Sequence, residues 1–213
     1  MHVANDTFDW IGIRRDEPEK VRDDVHRFFV SPGVGIDAEV LAGDRKILAG
    51  TAVVAQGDWS SIHPPQPLRL GKELAARLSR NINAPTLLMR VPRDFWEYRL
   101  FVGGREIDRY SQVPELSEPY STDLSGWKGQ PVVLASVFGV PESTISKYLV
   151  QWPKDAWQRP AEYGADTKRF SWGRKAFEDD EFPVSDYWVL CDFARRIGLA
   201  YDMPETHGVA IEG

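Results

Sequence analysis

The chain has 213 residues, 42% hydrophobic and 27% charged, a balance that supports one packed domain and excludes wholesale disorder. Its formal charge of −6 excludes generic attraction to phosphate backbones or anionic lipid unless basic residues gather on one face. A single cysteine, Cys191, excludes an internal disulfide and fits a reducing compartment. Met1 to Lys20 has no basic start followed by an apolar run, and no apolar stretch approaches the roughly 18 residues of a membrane span, so a cytoplasmic protein is expected.

In chain order, Phe8 to Ile13 alternates weakly and predicts a first strand. Asp16 stands as N-cap and Pro18 near the start of a helix whose apolar stripe is Val21, Val25, Phe28 and Phe29. IDAEVLA and KILAGTAVVA read as two β-rich runs broken at Gly43-Asp44, and His63 to Pro67 as a stiff extended connector. Leu70, Leu74 and Leu78 define a second amphipathic helix. Thr86 to Val91 is a continuous apolar run of strand length, expected at the centre of a sheet.

Phe95 to Tyr110 reads as a hairpin, with Gly103-Gly104 supplying the positive φ angles of a type I′ turn. That turn predicts Leu100 opposite Ile107, Tyr98 opposite Arg109 and Arg99 opposite Asp108. Ser111 to Gln130 is loop-like. Residues 131–150 read as two short helices forming an α-α corner. Residues 152–181 form an irregular aromatic-rich insertion, or long ordered loop, within a single domain spanning 1–213. Ser185 caps a last helix that turns Trp188, Leu190, Cys191 and Ala194 inward, Gly198 stops it, and a frayed tail follows Tyr201. The order predicts an α+β fold: a mostly antiparallel sheet with helices packed on one face.

The segment LASVFGVPESTISKYL resembles the helix-turn-helix of bacterial DNA-binding proteins, with Ala135, Gly139 and Ile145 at its small, turn and β-branched positions. The resemblance implies that Ser143, Thr144, Ser146 and Lys147, with Glu142, face a major groove. The same residues also serve a purely structural corner, and one lysine beside one glutamate neutralises little phosphate charge. A second likeness covers about half of the chain. The block FWEYRLFVGGREIDRYSQVPEL, with its Asp108-Arg109-Tyr110 element, and FPVSDYWVLCDFARRIGLAY resemble a group of uncharacterised bacterial α+β proteins. That likeness implies a fold neighbourhood and no chemistry.

Catalytic templates fail one by one. HExxH, GxxxxGK[ST] and GxSxG are absent, and Gly33-Val34-Gly35 lies between a helix and a strand, the wrong order for a dinucleotide. His2, His26, His63 and His207 stand alone, so no metal or other cofactor is expected. Cys191, on an apolar helix side, is expected to pack as a small hydrophobe with a high pKa. A small hydrolase using Glu97 or Asp108 is a third, weaker class.

The unusual number is eight tryptophans, which either fill a core or stack on a partner. Lys168 to Lys175 interleaves four basic residues with Phe170 and Trp172, as a single-stranded nucleic-acid site or an acidic-partner site would, or as a loop docking its own rings. The expectation is a non-enzymatic protein-binding module of inhibitor, adaptor or immunity type, contacting another protein through Trp157, Phe170, Trp172 and Arg174. The alternative is a DNA-binding regulator using residues 131–150.

Overall fold

The computed structural model describes residues 8–31, 35–49, 51–92, 94–154, 173–199 and 209–210. The expected first strand is β1 (Phe8–Ile13), and β4 (Thr86–Val91) pairs along its whole length. On its other side lies β3 (Trp59–Ile62), followed by β2 (Ala52–Gln56). Beyond β4 come β5 (Glu97–Val102) and β6 (Arg105–Ser111), and β7 (Val209–Ala210) closes the far edge beside β2. The order is β6-β5-β4-β1-β3-β2-β7 and every pair is antiparallel. Strands β1 to β4, adjacent in the order β4-β1-β3-β2, form with their crossover helices a split β-α-β unit of the ferredoxin-like kind.

The α+β class and the antiparallel sheet are as expected, but the helices divide between both faces rather than packing on one. Along β1 and β4 both side-chain phases are apolar, so each face needs a cover. Helices α1 (Pro18–Val30), α2 (Ala38–Leu48) and α3 (Gly71–Asn81) join Ile11, Ile13, Leu88 and Phe101 in one core. The opposite core holds Trp10, Leu87, Met89, Tyr98 and Tyr110. Over it lie α5 (Pro131–Phe138), α6 (Glu142–Ser146) and α7 (Val189–Arg196). A short α4 (Pro114–Ser117) follows β6. Gly12 is required here: a Cβ would sit 2.5 Å from Leu199 Cδ2 and 3.3 Å from the Trp59 ring. Trp10, Trp59, Trp96, Trp127 and Trp152 are all buried, so these rings fill the core.

Several local expectations change. Residues 38–48 are a helix and not a strand: Asp37 caps it by accepting from Glu39 N and Val40 N. Gly43-Asp44 therefore lies mid-helix, and buried Asp44 accepts from the Arg69 and Leu70 amides of the following connector. Helix α1 has Glu17 and not Asp16 at its N-cap, with no side-chain cap bond. Ser60 Oγ instead accepts from Glu17 N and donates to Arg15 O. Helix α7 starts at Val189, with Asp186 Oδ1 accepting from Trp188 N, so Ser185 is not its cap. Leu190 and Ala194 face inward as expected, joined by Phe193, whereas Cys191 is only partly buried.

The hairpin turn is as read, with Gly103 at φ 58° and Gly104 at φ 81°. Its register is not. Phe101 pairs with Glu106 but Leu100 pairs with Asp108, so Ile107 is the extra residue of a bulge. Arg99 consequently pairs in charge with Glu106 at 2.8 Å, and Asp108 accepts from Tyr98 Oη at 2.7 Å. Of the tail expected to fray, Val209–Ala210 is paired; its neighbours lie outside the described residues.

Candidate functional site

The helix-turn-helix-like segment is built as its residue types require. Gly139 ends α5 in the left-handed region at φ 70°, its N–H donating to Ala135 O. Leu134, Phe138, Ile145 and Tyr148 are buried in the core. Of the residues that the resemblance points at DNA, Ser143, Ser146 and Lys147 are exposed and Thr144 is half-buried. Ser143, Thr144 and Ser146 lie on the five-residue helix α6, and Lys147 is its C-cap. The Lys147 ammonium sits 3.8 Å from the centre of the Phe177 ring. Arg14, beside the turn, donates to Val137 O at 2.6 Å and lies over Phe138. Both nearby cations are thus already engaged by the protein's own rings and carbonyls.

Of the expected protein-contact residues, Trp157, Phe170 and Trp172 lie outside the described residues, and Arg174 is exposed. The flanks of that segment meet at one residue that carries no sequence signature, Gln112. Its backbone carbonyl accepts from Trp152 N at 2.8 Å, and its side-chain Nε2 donates to Val184 O at 2.9 Å. Gln112 Oε1 accepts from Trp96 N, and Gln112 N donates to Trp96 O, tying the clamp to the start of β5. The Val184 amide in turn donates to Arg174 O. Entry and exit of the aromatic, basic stretch are therefore held side by side on the sheet's end.

The returning strand of chain is held a second time. Asp180, buried in full at its side chain, accepts from Tyr148 Oη, Phe177 N and Arg196 Nη2. Asp179 adds a second acceptor for Arg196 at 2.6 Å, and these hydrogen bonds hold its guanidinium well above the ordinary range. Burial likewise pushes the Tyr148 phenol up, so it is a hydrogen-bond donor to Asp180 and not a base.

A third cluster joins three neighbouring strands. Asp9 of β1 is opposite Arg90 of β4, and Arg90 is opposite Glu97 of β5, all on the face covered by α1 and α3. Arg90 Nη2 donates to Asp9 Oδ2 at 3.0 Å and to Leu68 O at 2.6 Å, while Leu68 N donates to Asp9. Glu97 Oε2 accepts from Ser117 Oγ at 2.6 Å. A cavity of about 160 Å³ opens beside this row, lined also by Pro67, Arg69, Val91 and Pro92.

Burial raises the pKa of both Asp9 and Glu97 above the ordinary carboxylate range, against the opposing pull of Arg90. The folded state then binds these protons more tightly than the unfolded chain does. Stability falls as pH rises from the unfolded pKa, near 4.5 for Glu97, through the folded one. Glu97→Gln keeps an acceptor for Ser117 but cannot ionise. Urea titrations should show it gaining on the wild type as pH rises from about 4.5 through the raised pKa of the folded state. The gain is about 1.4 kcal/mol per pH unit separating the two pKa values. A difference constant with pH would mean that Glu97 is not held protonated.

Other reactive groups are closed off. Burial pushes the Cys191 thiol up to about 12, with Asp192 and other acids adding to it, so no thiolate forms near neutrality. Burial lowers His63 to about 4, leaving a neutral imidazole 3.1 Å from Ser61 Oγ, but that serine is fully buried. Asp108 is committed to Tyr98 Oη and Gln130 N. Among the described residues no cluster of three or more His, Cys, Asp or Glu could hold a metal ion, and no helix is long and apolar enough to cross a membrane.

Comparison with known protein families, characterised proteins and solved structures gives no match.

Proposed function

We propose that this protein works by binding another protein through the stretch between Trp152 and Val184, as an inhibitor, adaptor or immunity-type protein of the bacterial cytoplasm. The observation that carries the reading is the Gln112 clamp, which holds both ends of an aromatic and basic segment on a rigid sheet end. Loops mounted this way on a fixed scaffold are where binding residues concentrate. Arg174 and Lys175 are exposed at its return, and Trp157, Phe170 and Trp172 lie within it. Aromatic and arginine side chains dominate interface energetics. A nucleic-acid role is less well supported, because Lys147 and Arg14 are occupied at the corner and the chain carries a net charge of −6.

The test is site-specific photo-crosslinking in native cells, with a benzophenone amino acid at position 174 or, as control, at exposed position 23 on α1. A discrete adduct from position 174 only, lost with Trp172→Ala, is the expected result. Equal adducts from both positions, or none, would overturn the reading. In parallel, random duplex at low salt should show no binding. Micromolar, salt-sensitive binding abolished by Lys147→Glu would instead establish the DNA-binding alternative.

A further inference from the structure

We propose that the cavity beside Asp9, Arg90 and Glu97 binds a small uncharged primary amide through its carbonyl oxygen. The guanidinium of Arg90 has more donors than the protein supplies acceptors for. Its Nη2 donates to Asp9 Oδ2 at 3.0 Å and to Leu68 O at 2.6 Å. Its Nε lies 3.0 Å from Asp9 Oδ1, but the N–H is poorly aligned, so this buried donor makes no hydrogen bond. Nη1 finds no acceptor either among the described residues. The side chain is 24% exposed and lines the cavity. A guanidinium short of acceptors gains most from a ligand oxygen, since hydrogen bonds to a charged group are the stronger kind.

Charge selects among such ligands. Asp9 and Arg90 in the cavity wall pair with each other and cancel. Burial favours the neutral form of Glu97, and both Arg90 and Arg99 offset what charge it carries. Arg69 is exposed at the mouth, where water and salt screen it. A charged ligand therefore trades its hydration for a wall with no net charge. An amide brings a strong acceptor without that cost. Glu97, opposite Arg90 across β4 and β5, then offers a carboxyl oxygen to the amide N–H as a secondary contact. Pro67, Leu68, Val91 and Pro92 supply an apolar wall for a short alkyl chain. The volume of about 160 Å³ equals roughly five water molecules, room for a carboxamide and a few methylenes.

The probe is butyramide, titrated into the full chain and followed by NMR, with butyrate and n-butylammonium as anionic and cationic analogues. Saturable amide shifts are expected at Leu68, Arg69, Val91 and Glu97, with a dissociation constant of about 1 mM, a size-appropriate affinity for so few atoms. The Arg90 guanidinium N–H resonances should shift with the same midpoint, which a ligand held by the apolar wall alone would not produce. Both charged analogues should bind at least about fivefold more weakly. Arg90→Lys keeps a cation against Asp9 but removes Nη1, and should weaken butyramide about tenfold. Should that variant fail to fold, the guanidinium shift and the order of the three probes in the wild type decide the matter. The proposal fails if butyramide does not saturate by about 100 mM. It also fails if either charged analogue binds more tightly than butyramide, or if the guanidinium signals do not move at saturation. A folded Arg90→Lys that binds as the wild type does would overturn it equally.

Discussion

Replacing Gln112 with leucine is expected to cost about 3 kcal/mol of stability. Leucine fills a similar volume, so no cavity contributes. The cost arises from Trp96 N–H and Val184 C=O, both of which lose their side-chain partner within the core. Each orphaned buried group costs about 1–3 kcal/mol, and neither can turn to water without local opening. The backbone bonds Trp152 N to Gln112 O and Gln112 N to Trp96 O survive the change. The entry of the aromatic segment should therefore stay fixed while its exit at Val184 loosens. Denaturant melts report the stability loss, and amide exchange should rise at Val184 more than at Trp152. Crosslinking from position 174 should fall in parallel. A variant as stable as the wild type, with unchanged exchange at Val184, would show that the clamp carries no load.

Much of the frame is legible in the residues, for local reasons. Val21, Val25, Phe28 and Phe29 form the buried stripe of α1 as their spacing demands, and Leu74 and Leu78 do the same for α3. The glycine pair at 103–104 dictates its turn without help from the rest of the molecule. Failures occur where a distant partner decides. Gly43-Asp44 looks like a break, yet Asp44 is on the inner side of α2 because the amides of Arg69 and Leu70, far along the chain, need an acceptor. The bulge at Ile107 has the same character. It places Tyr110 opposite Tyr98 and Asp108 opposite Leu100, over the core shared with Trp96 and Phe193, and no two-strand register argument includes that core.

Three signals were present and carried more than their local reading. FDWIGI and TLLMRV are apolar in both strand phases, the mark of a sheet covered on both sides. Asp9 and Arg90 are the lone charges in those strands, and Glu97 is an acid in an aromatic strand; charges in a buried phase imply partners. AVVAQ and WSSI are likewise separated by Gly57-Asp58, a two-residue hairpin loop. Gln112 offered no such signal. A glutamine in a turn is ordinary until the chain ends it joins are brought beside it.

Asp180→Ala is expected to destabilise by about 3–5 kcal/mol, the range for breaking a buried charge pair from one side. The carboxylate accepts from Tyr148 Oη, Phe177 N, Arg196 and, at 3.4 Å, Arg195, and truncation removes that acceptor from all four. Asp179 still holds Arg196 at 2.6 Å, which places the loss toward the lower end. Asp180→Asn keeps one acceptor and should lose less, separating the charge from the hydrogen bonds. The consequence travels through Phe177, whose ring carries Lys147 at 3.8 Å and Arg196 at 4.3 Å. Once Phe177 N is unanchored, that ring can leave, and Lys147 at the C-cap of α6 becomes a free surface cation. A double-mutant cycle of Asp180→Ala with Tyr148→Phe should give a coupling of about 1–3 kcal/mol, since the two share one buried bond. The released lysine supplies a second readout: nonspecific duplex binding should appear weakly in Asp180→Ala and stay absent in the wild type. If the cycle gives no coupling and Phe177 keeps its exchange protection, the return segment is held by its rings alone.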